Sequence, residues 1–326
     1  MNDEKLLKFV EKSPDAWIQD AIFKANTHYK QSKKIACLIS GGADSDIMFH
    51  LLYTLDDEKK VTYAWVNTGL EFEATKRHLK DLEEKYGVEI IQLKTKMPIP
   101  LAVRKHGVPF LSKYVSDMIQ RLQKHNFQWE DEPFDVLYAK YPKCKGALRW
   151  WCNDWGEDSR FSISRNSYLK EFMMQNPPDF KISPKCCDYA KKSPANDFVR
   201  DGGFDLRCIG VRKSEGGLRA TSYQSCFTPS DCESEAQYRP LFWFDNNSKE
   251  IYKQSHNVRY SDCYEVWGLD RTGCAACPFG KNFEFELECV EKYEPKLYTA
   301  VWKIFGKSYE YTRKYREFQQ EMRKTQ

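Results

Sequence analysis

The sequence predicts an α/β protein built on a doubly wound parallel sheet, and three observations carry that prediction. Short apolar runs at residues 35–39, 61–66 and 88–93 have the length and composition of buried strands. Segments of helical apolar spacing fill the intervals between them, the strand–helix alternation of a parallel sheet. The chain has 326 residues, enough for one large α/β domain with additions.

Taken in order, residues 4–30 place Leu6, Leu7, Phe9, Val10, Trp17, Ile18, Ile22 and Phe23 at helical spacing, interrupted by Ser13-Pro14-Asp15. They read as two packing helices ahead of the first strand. That strand runs into Ser40-Gly41-Gly42-Ala43-Asp44-Ser45, and an apolar-periodic helix follows. Paired glycines let the backbone turn sharply and approach a ligand. The helix behind them aims free N–H groups and a positive dipole end into the loop, which makes an anion site. Ser40 and Ser45 add hydroxyls, and Asp44 offers a carboxylate to a cation or to a nearby N–H. A capped Gly-Gly turn would look similar. The loop matches neither GxxxxGK[ST] nor GxGxxG.

The second strand ends in Asn67-Thr68-Gly69-Leu70-Glu71-Phe72, and a helix runs from there to about Tyr86. In such sheets the ligand crevice lies beyond the carboxyl ends of the strands, so both loops should face it. No strand pattern appears at 100–180. Lys113, Arg121 and Lys124 give one amphipathic helix a basic side. Trp129, Tyr138, Tyr141, Trp150, Trp151 and Trp155 are interleaved with Lys140, Lys143, Lys145 and Arg149. That interleaving suits stacking on nucleic acid and equally suits packing of a helical insertion. A further strand at 204–209 leads to Arg212 and Arg219 around a Ser-Glu-Gly-Gly turn, placed for bidentate phosphate or sulfate contact. The charged tail after residue 280 reads as helical.

The net charge of +4 permits a polyanionic partner without requiring one. No apolar leader is visible, and no run approaches the roughly 18 apolar residues of a membrane span. The chain is therefore expected in the cytoplasm. Twelve cysteines in that compartment point to metal or redox chemistry before disulfides. Cys274-x-x-Cys277-Pro278 has metal-knuckle spacing, yet no second pair suited to zinc follows it. Cys186 and Cys187 are vicinal and awkward for one small ion, though they could reach two irons of a larger cluster. Cys37 reads as an inert strand residue, and Cys226 and Cys232 fall in a Ser/Thr-rich loop.

SGGADS resembles the SGGxDS pyrophosphate loop (PP-loop) of the ATP pyrophosphatase superfamily, whose fold is adenine nucleotide alpha hydrolase-like. NTGLEF, the G-V-R-K-S-E-x-x-x-R stretch from Gly210 to Arg219, and Arg239-Pro240-Leu-Phe-Trp-Phe resemble motifs of its phosphoadenosine phosphosulfate (PAPS) reductase branch. Ala74 replaces an acidic position of that family, the Ser-Glu order near Glu215 is swapped, and the Pro-Leu motif is expected on a strand. Cys-Cys followed at long range by Cys-x-x-Cys resembles the [4Fe-4S] signature of adenylyl-sulfate reductases.

The resemblance implies N-terminal helices at 1–30, a PP-loop domain at 31–280 with a helical insertion at about 100–180, and C-terminal helices at 281–326. It implies an adenine nucleotide such as ATP, with Mg²⁺, held by Ser40, Gly41, Gly42, Asp44, Ser45, Thr68, Gly69, Arg212 and Arg219. It further implies a [4Fe-4S] cluster on Cys186, Cys187, Cys274 and Cys277. Sulfonucleotide reductases use a C-terminal thiol as nucleophile, and no cysteine follows Cys289 here. The intact loop therefore favours an ATP pyrophosphatase-type enzyme that adenylates an acceptor and supports sulfur transfer. DNA phosphorothioation sulfurtransferases and some tRNA-thiolating proteins are similar in this respect. A nucleic-acid acceptor and a cysteine desulfurase-like sulfur donor are the implied partners. The alternatives are a sulfonucleotide reductase and a nucleotide-binding redox regulator. No general base is identified.

Overall fold

The structure, a computed structural model, describes residues 2–216, 222–231 and 234–324. The chain divides into two compact units, Met1–Lys96 with Lys191–Cys274, and Met97–Ala190 with Ala275–Gln326.

The first unit holds the sheet. Its strands are β1 (Ile35–Leu38), β2 (Val61–Asn67), β3 (Ile90–Lys94), β4 (Leu206–Ile209), β5 (Phe227–Thr228) and β6 (Ala236–Tyr238), in the order β3-β2-β1-β4-β6-β5. Every pairing is parallel except that of the short edge strand β5 with β6. Both faces are covered, as side-chain alternation along β1 makes plain. Ile35 and Cys37 join the large core with Ile18, Ile22, Phe49, Leu52 and Leu79. Ala36 points the other way, to Val199 and Phe204.

Local chemistry sets the helix ends. The first two helices, α1 (Asp3–Glu11) and α2 (Ala16–Gln31), are capped by Asn2 and Asp15, whose side chains accept from Lys5 N–H and Ile18 N–H. Helices α3 (Ala43–Leu55) and α4 (Glu73–Tyr86) follow β1 and β2, and Gly87 ends α4 at φ 62°. After β3 the chain returns to the sheet at β4, on the opposite side of β1 from β2. The order reverses there, so the crevice opens beyond the carboxyl ends of β1 and β4.

One motif sits differently from its expected strand. β6 stops at Tyr238, and Pro240–Trp243 form a turn. Proline has no N–H to give a ladder, and the Arg239 guanidinium, fully buried, is tied to Ser225 O and Thr228 Oγ1 instead.

Among its described residues the second unit has helices joined by loops and no strand, apart from a Val108–Ile182 bridge, and it ends in the 30-residue helix Pro295–Lys324. The aromatic-rich stretch packs inward. Trp150, Trp151, Phe172, Tyr311 and Tyr315 share one core with Phe110, Ile119 and Leu148. The Trp151 indole donates to Glu130 O at 2.9 Å. Of the interleaved cations, Lys140 pairs with Glu130 and Arg149 with Asp154, while Arg121 pairs with Asp117. No described helix is long and apolar enough to cross a membrane.

Candidate functional site

The loop after β1 is shaped by its glycines. Gly41 has φ +63°, and a Cβ there would lie 2.7 Å from Thr75 Cγ2, so only glycine fits. Gly42 takes the N-cap position of α3 without a side-chain cap, and the first helical bond is Asp46 N–H to Gly42 O at 2.9 Å. The N–H groups of the preceding residues stay at the loop, as at any helix start. Ser45 is buried and its Oγ accepts from Ser40 N–H at 2.8 Å, closing the loop on itself. The Tyr264 hydroxyl accepts from Thr272 N–H at 2.9 Å and bonds the Ala43 backbone. Burial pushes that phenol up to about 12, so it remains a neutral donor and acceptor.

Two cations converge on Asp44. Arg212 Nε, from the loop after β4, lies 3.0 Å from Asp44 Oδ2, and Lys249 Nζ lies 3.0 Å from Oδ1. Lys249 belongs to the helix Asn246–Ser255. Arg212 Nη1 also donates to Ser214 Oγ and Asn246 Oδ1, at 2.9 and 3.1 Å, and its backbone N–H donates to Glu215 Oε1. One carboxylate thus faces two cations and a helix N-terminus, which leaves the site positive.

Behind the loop, Asp46 Oδ2 bonds His78 Nε2 at 2.9 Å, both buried. Burial pushes the Asp46 carboxyl up. Burial pushes His78 down, but the hydrogen bond and charge of Asp46 outweigh it and the net direction is up.

The loop after β2 is an interlocked turn. Asn67 Oδ1 accepts from Gly69 N–H, and Glu71 accepts from Thr68 N–H at 2.9 Å and from the Thr68 hydroxyl at 2.6 Å. Thr68, expected at the nucleotide, therefore spends its proton inside the protein. Lys191 Nζ stands 4.0 Å from the buried Glu71. Cys274 lies against the same turn, its Sγ 3.6 Å from Thr68 Oγ1, and it bridges Glu71 in antiparallel fashion.

Cys186 and Cys187 sit on a helical turn followed by the π-helical turn Asp188–Lys192. Successive residues of a helix do not face each other, so the two thiols are poorly placed to share one small ion. Cys277 O accepts from Gly280 N–H at 2.7 Å. Among the described residues no three His, Cys, Asp or Glu side chains gather to hold a metal ion. Cys37 and Cys208 are register partners in the sheet, fully buried, with thiols pushed up by burial. Arg219 and Cys232 lie outside the described residues.

Sequence reasoning passed over Lys249, Tyr264, Lys191 and the Asp46–His78 pair. A lone lysine in a helix or a lone tyrosine carries no motif, and the only local signal was the aspartate inside the recognised loop. It also passed over a basic groove in the helical unit. There Arg104, Lys181, Lys303 and Lys307 border a space of about 700 Å³ with Phe180 and Trp302, opposed by Glu310. A larger cleft, about 900 Å³, borders the start of β2 with Tyr53, Asp56, Tyr63 and Tyr86, at the far end of that strand from the loops.

Residues 34–133 match the phosphoadenosine phosphosulfate reductase domain. The uncharacterized protein MJ0066 of Methanocaldococcus jannaschii is 24% identical over 286 residues, 87% of this chain and 44% of its own length. The chain thus spans less than half the length of that curated relative. PAPS reductase from Candida auris, solved as a phosphate complex, superposes with a TM-score of 0.43 at 13% identity, covering 84% of this chain and 96% of that one. The U34-tRNA thiolase NcsA of Methanococcus maripaludis, solved with its [4Fe-4S] cluster, gives 0.36 at 14% identity, covering 91% and 78%.

Proposed function

We propose that this chain, which carries a phosphoadenosine phosphosulfate reductase domain over residues 34–133 and belongs to that enzyme family, adenylates an acceptor with ATP and supports sulfur transfer to it. The observation that carries this reading is the positive cradle after β1. There a left-handed Gly41 opens the backbone, α3 presents its N-terminus, and Arg212 and Lys249 stand within 3.0 Å of Asp44. Such a cradle is suited to a pyrophosphate group. Attack by an acceptor oxygen on the α-phosphorus would expel pyrophosphate, whose growing charge the two cations and the loop N–H groups are placed to stabilise. A Mg²⁺ ion held at Asp44 would supply further neutralisation of the phosphates.

The sulfur step is proposed on the cysteine spacing. Cys186, Cys187, Cys274 and Cys277 would hold a [4Fe-4S] cluster, with a cysteine desulfurase-like protein as sulfur donor. The acceptor is proposed to be nucleic acid. The groove at Arg104, Lys181, Lys303 and Lys307 supports that choice, since cations lining a cleft focus a field on phosphates.

ATP–pyrophosphate exchange tests the central step. Labelled pyrophosphate should appear in ATP in the presence of Mg²⁺, and Ser45→Ala should abolish the exchange. Absence of exchange, with adenylyl sulfate instead reduced to sulfite by thioredoxin, would overturn the reading in favour of a reductase. Iron and sulfide analysis after anaerobic purification tests the cluster, and Cys187→Ala should remove both elements.

A further inference from the structure

The carboxylate that a metal would need is already occupied. Asp44 touches Arg212 on one oxygen and Lys249 on the other. Those contacts are close but imperfect. Arg212 is only 7% exposed, yet its Nε makes no aligned hydrogen bond among the described residues, and neither does Asp44 Oδ1. Charge-assisted hydrogen bonds gain much of their strength from alignment, so Arg212 Nε facing Oδ2, and Oδ1 facing Lys249, each keep unused bonding capacity. Arg212 Nη1 is well anchored, on Ser214 and Asn246, which fixes the guanidinium plane whatever Nε does. Lys249 has a freely rotating ammonium at the end of a flexible stem. Asp44 keeps about a fifth of its side-chain surface open, as does Lys249.

We propose that Asp44 is a latch that couples metal to phosphate. It holds Arg212 and Lys249 while the loop is empty. When a pyrophosphate group arrives with a divalent cation, the two basic side chains pass to phosphate oxygens and the freed carboxylate passes to the cation. Each charge faces an opposite charge before and after the exchange, and no covalent bond changes. Without the cation, the incoming phosphate meets an unneutralised carboxylate within the same cluster, and like charges at such separations repel. The latch therefore selects metal-bound over metal-free phosphate, and it assigns Lys249 to the phosphate. The inference rests on the phosphate-binding reading of the loop and goes beyond it, because a cradle can hold pyrophosphate without this coupling.

The opposite view is that the ion pairs merely fasten the start of α3 to the helix Asn246–Ser255. Calorimetric titration of the whole chain with inorganic pyrophosphate, with and without Mg²⁺, separates the two. The unsubstituted protein should bind at least about tenfold more tightly with Mg²⁺, within the usual range of a coupling between sites. In Asp44→Asn the cations are freed and the metal ligand is weakened. Metal-free pyrophosphate should then bind about tenfold more tightly than to the unsubstituted protein, with Mg²⁺ adding less than about twofold. Lys249→Met should weaken binding in both conditions. Asp44→Ser, read in the same way, serves if the Asn variant does not fold. Asp44 variants that stay folded but bind metal-free pyrophosphate no better would overturn the latch and leave the cradle standing. Pyrophosphate binding by no form of the protein would instead sink the phosphate reading itself.

Discussion

The loop after β1 and the aromatic core of the helical unit are held by different physics. The loop contains little apolar volume. Its shape comes from one left-handed glycine, a helix N-terminus and a carboxylate between two cations. The core around Trp150 and Trp151 is held mainly by ring volume, with hydrogen bonds from the Trp151 indole and the Tyr311 and Tyr315 phenols at its margin. The contrast teaches where function can sit. Interlocked rings tolerate no ligand without a cavity, whereas a backbone cradle with surplus positive charge is incomplete until an anion arrives.

The largest effect should come from the packed region. Trp151→Ala removes a fully buried ring and its bond to Glu130, and should cost about 3–5 kcal/mol in urea unfolding. Slightly smaller is His78→Ala, which strips the buried Asp46 carboxylate of its partner at 2.9 Å. Breaking a buried pair costs about 3–5 kcal/mol when the charge persists. Asp46 can take up a proton, so about 2–3 kcal/mol is expected, and His78→Ala with Asp46→Asn together should recover part of it. Gly41→Ala sharpens the comparison from the other side. It forces φ +63° on a residue with a Cβ placed 2.7 Å from Thr75, so stability should fall by about 1–2 kcal/mol. ATP binding should fall at least about tenfold, because the cradle is the backbone itself. If Trp151→Ala reduced ATP affinity as much as stability, the division between the two regions would be wrong.

Legibility in the sequence followed the same division. Strand, loop and helix around Ser40–Ser45 were readable because every signal was local: an apolar run, two glycines and a periodic helix. The aromatic stretch was readable only as two alternatives, since spacing alone does not say whether rings face a core or a ligand. Lys249 and Tyr264 were illegible for a different reason. Each reaches the loop from an element far along the chain, and nothing in Asn246-Asn-Ser-Lys-Glu distinguishes a lysine beside Asp44 from one in solvent. The Pro-Leu-Phe-Trp segment shows the reverse error, where a motif read as a strand lies just after β6, in the turn that a proline favours.

The smallest expected effect depends on pH and lies away from the cradle, beneath the first helices. His50 and His256 stand with ring centroids 5.7 Å apart; His50 Nδ1 pairs with Tyr252 and His256 Nε2 with Ser13. Burial lowers both to about 4, and the nearby Lys12 adds to the shift in each. In the unfolded chain each would titrate near 6.5. Between those values the unfolded state binds more protons, so the stabilisation is complete above pH 6.5 and is lost as pH falls through 4. About 1–2 kcal/mol should disappear between pH 7 and pH 4.5, allowing for partial screening, and urea midpoints at the two pH values measure it. Asp57, held down by its hydrogen bonds, loses stabilisation only at lower pH, while the raised Asp46–His78 pair titrates independently of His50 and His256. Replacing both His50 and His256 with glutamine should make the slope near pH 5–6 shallower, leaving the parts due to His28, His78 and Asp46. A slope unchanged in the double variant would show that the pair is hydrated enough to protonate in place, and that this end of α3 is held by Tyr252 and Phe9 without help from neutral imidazoles.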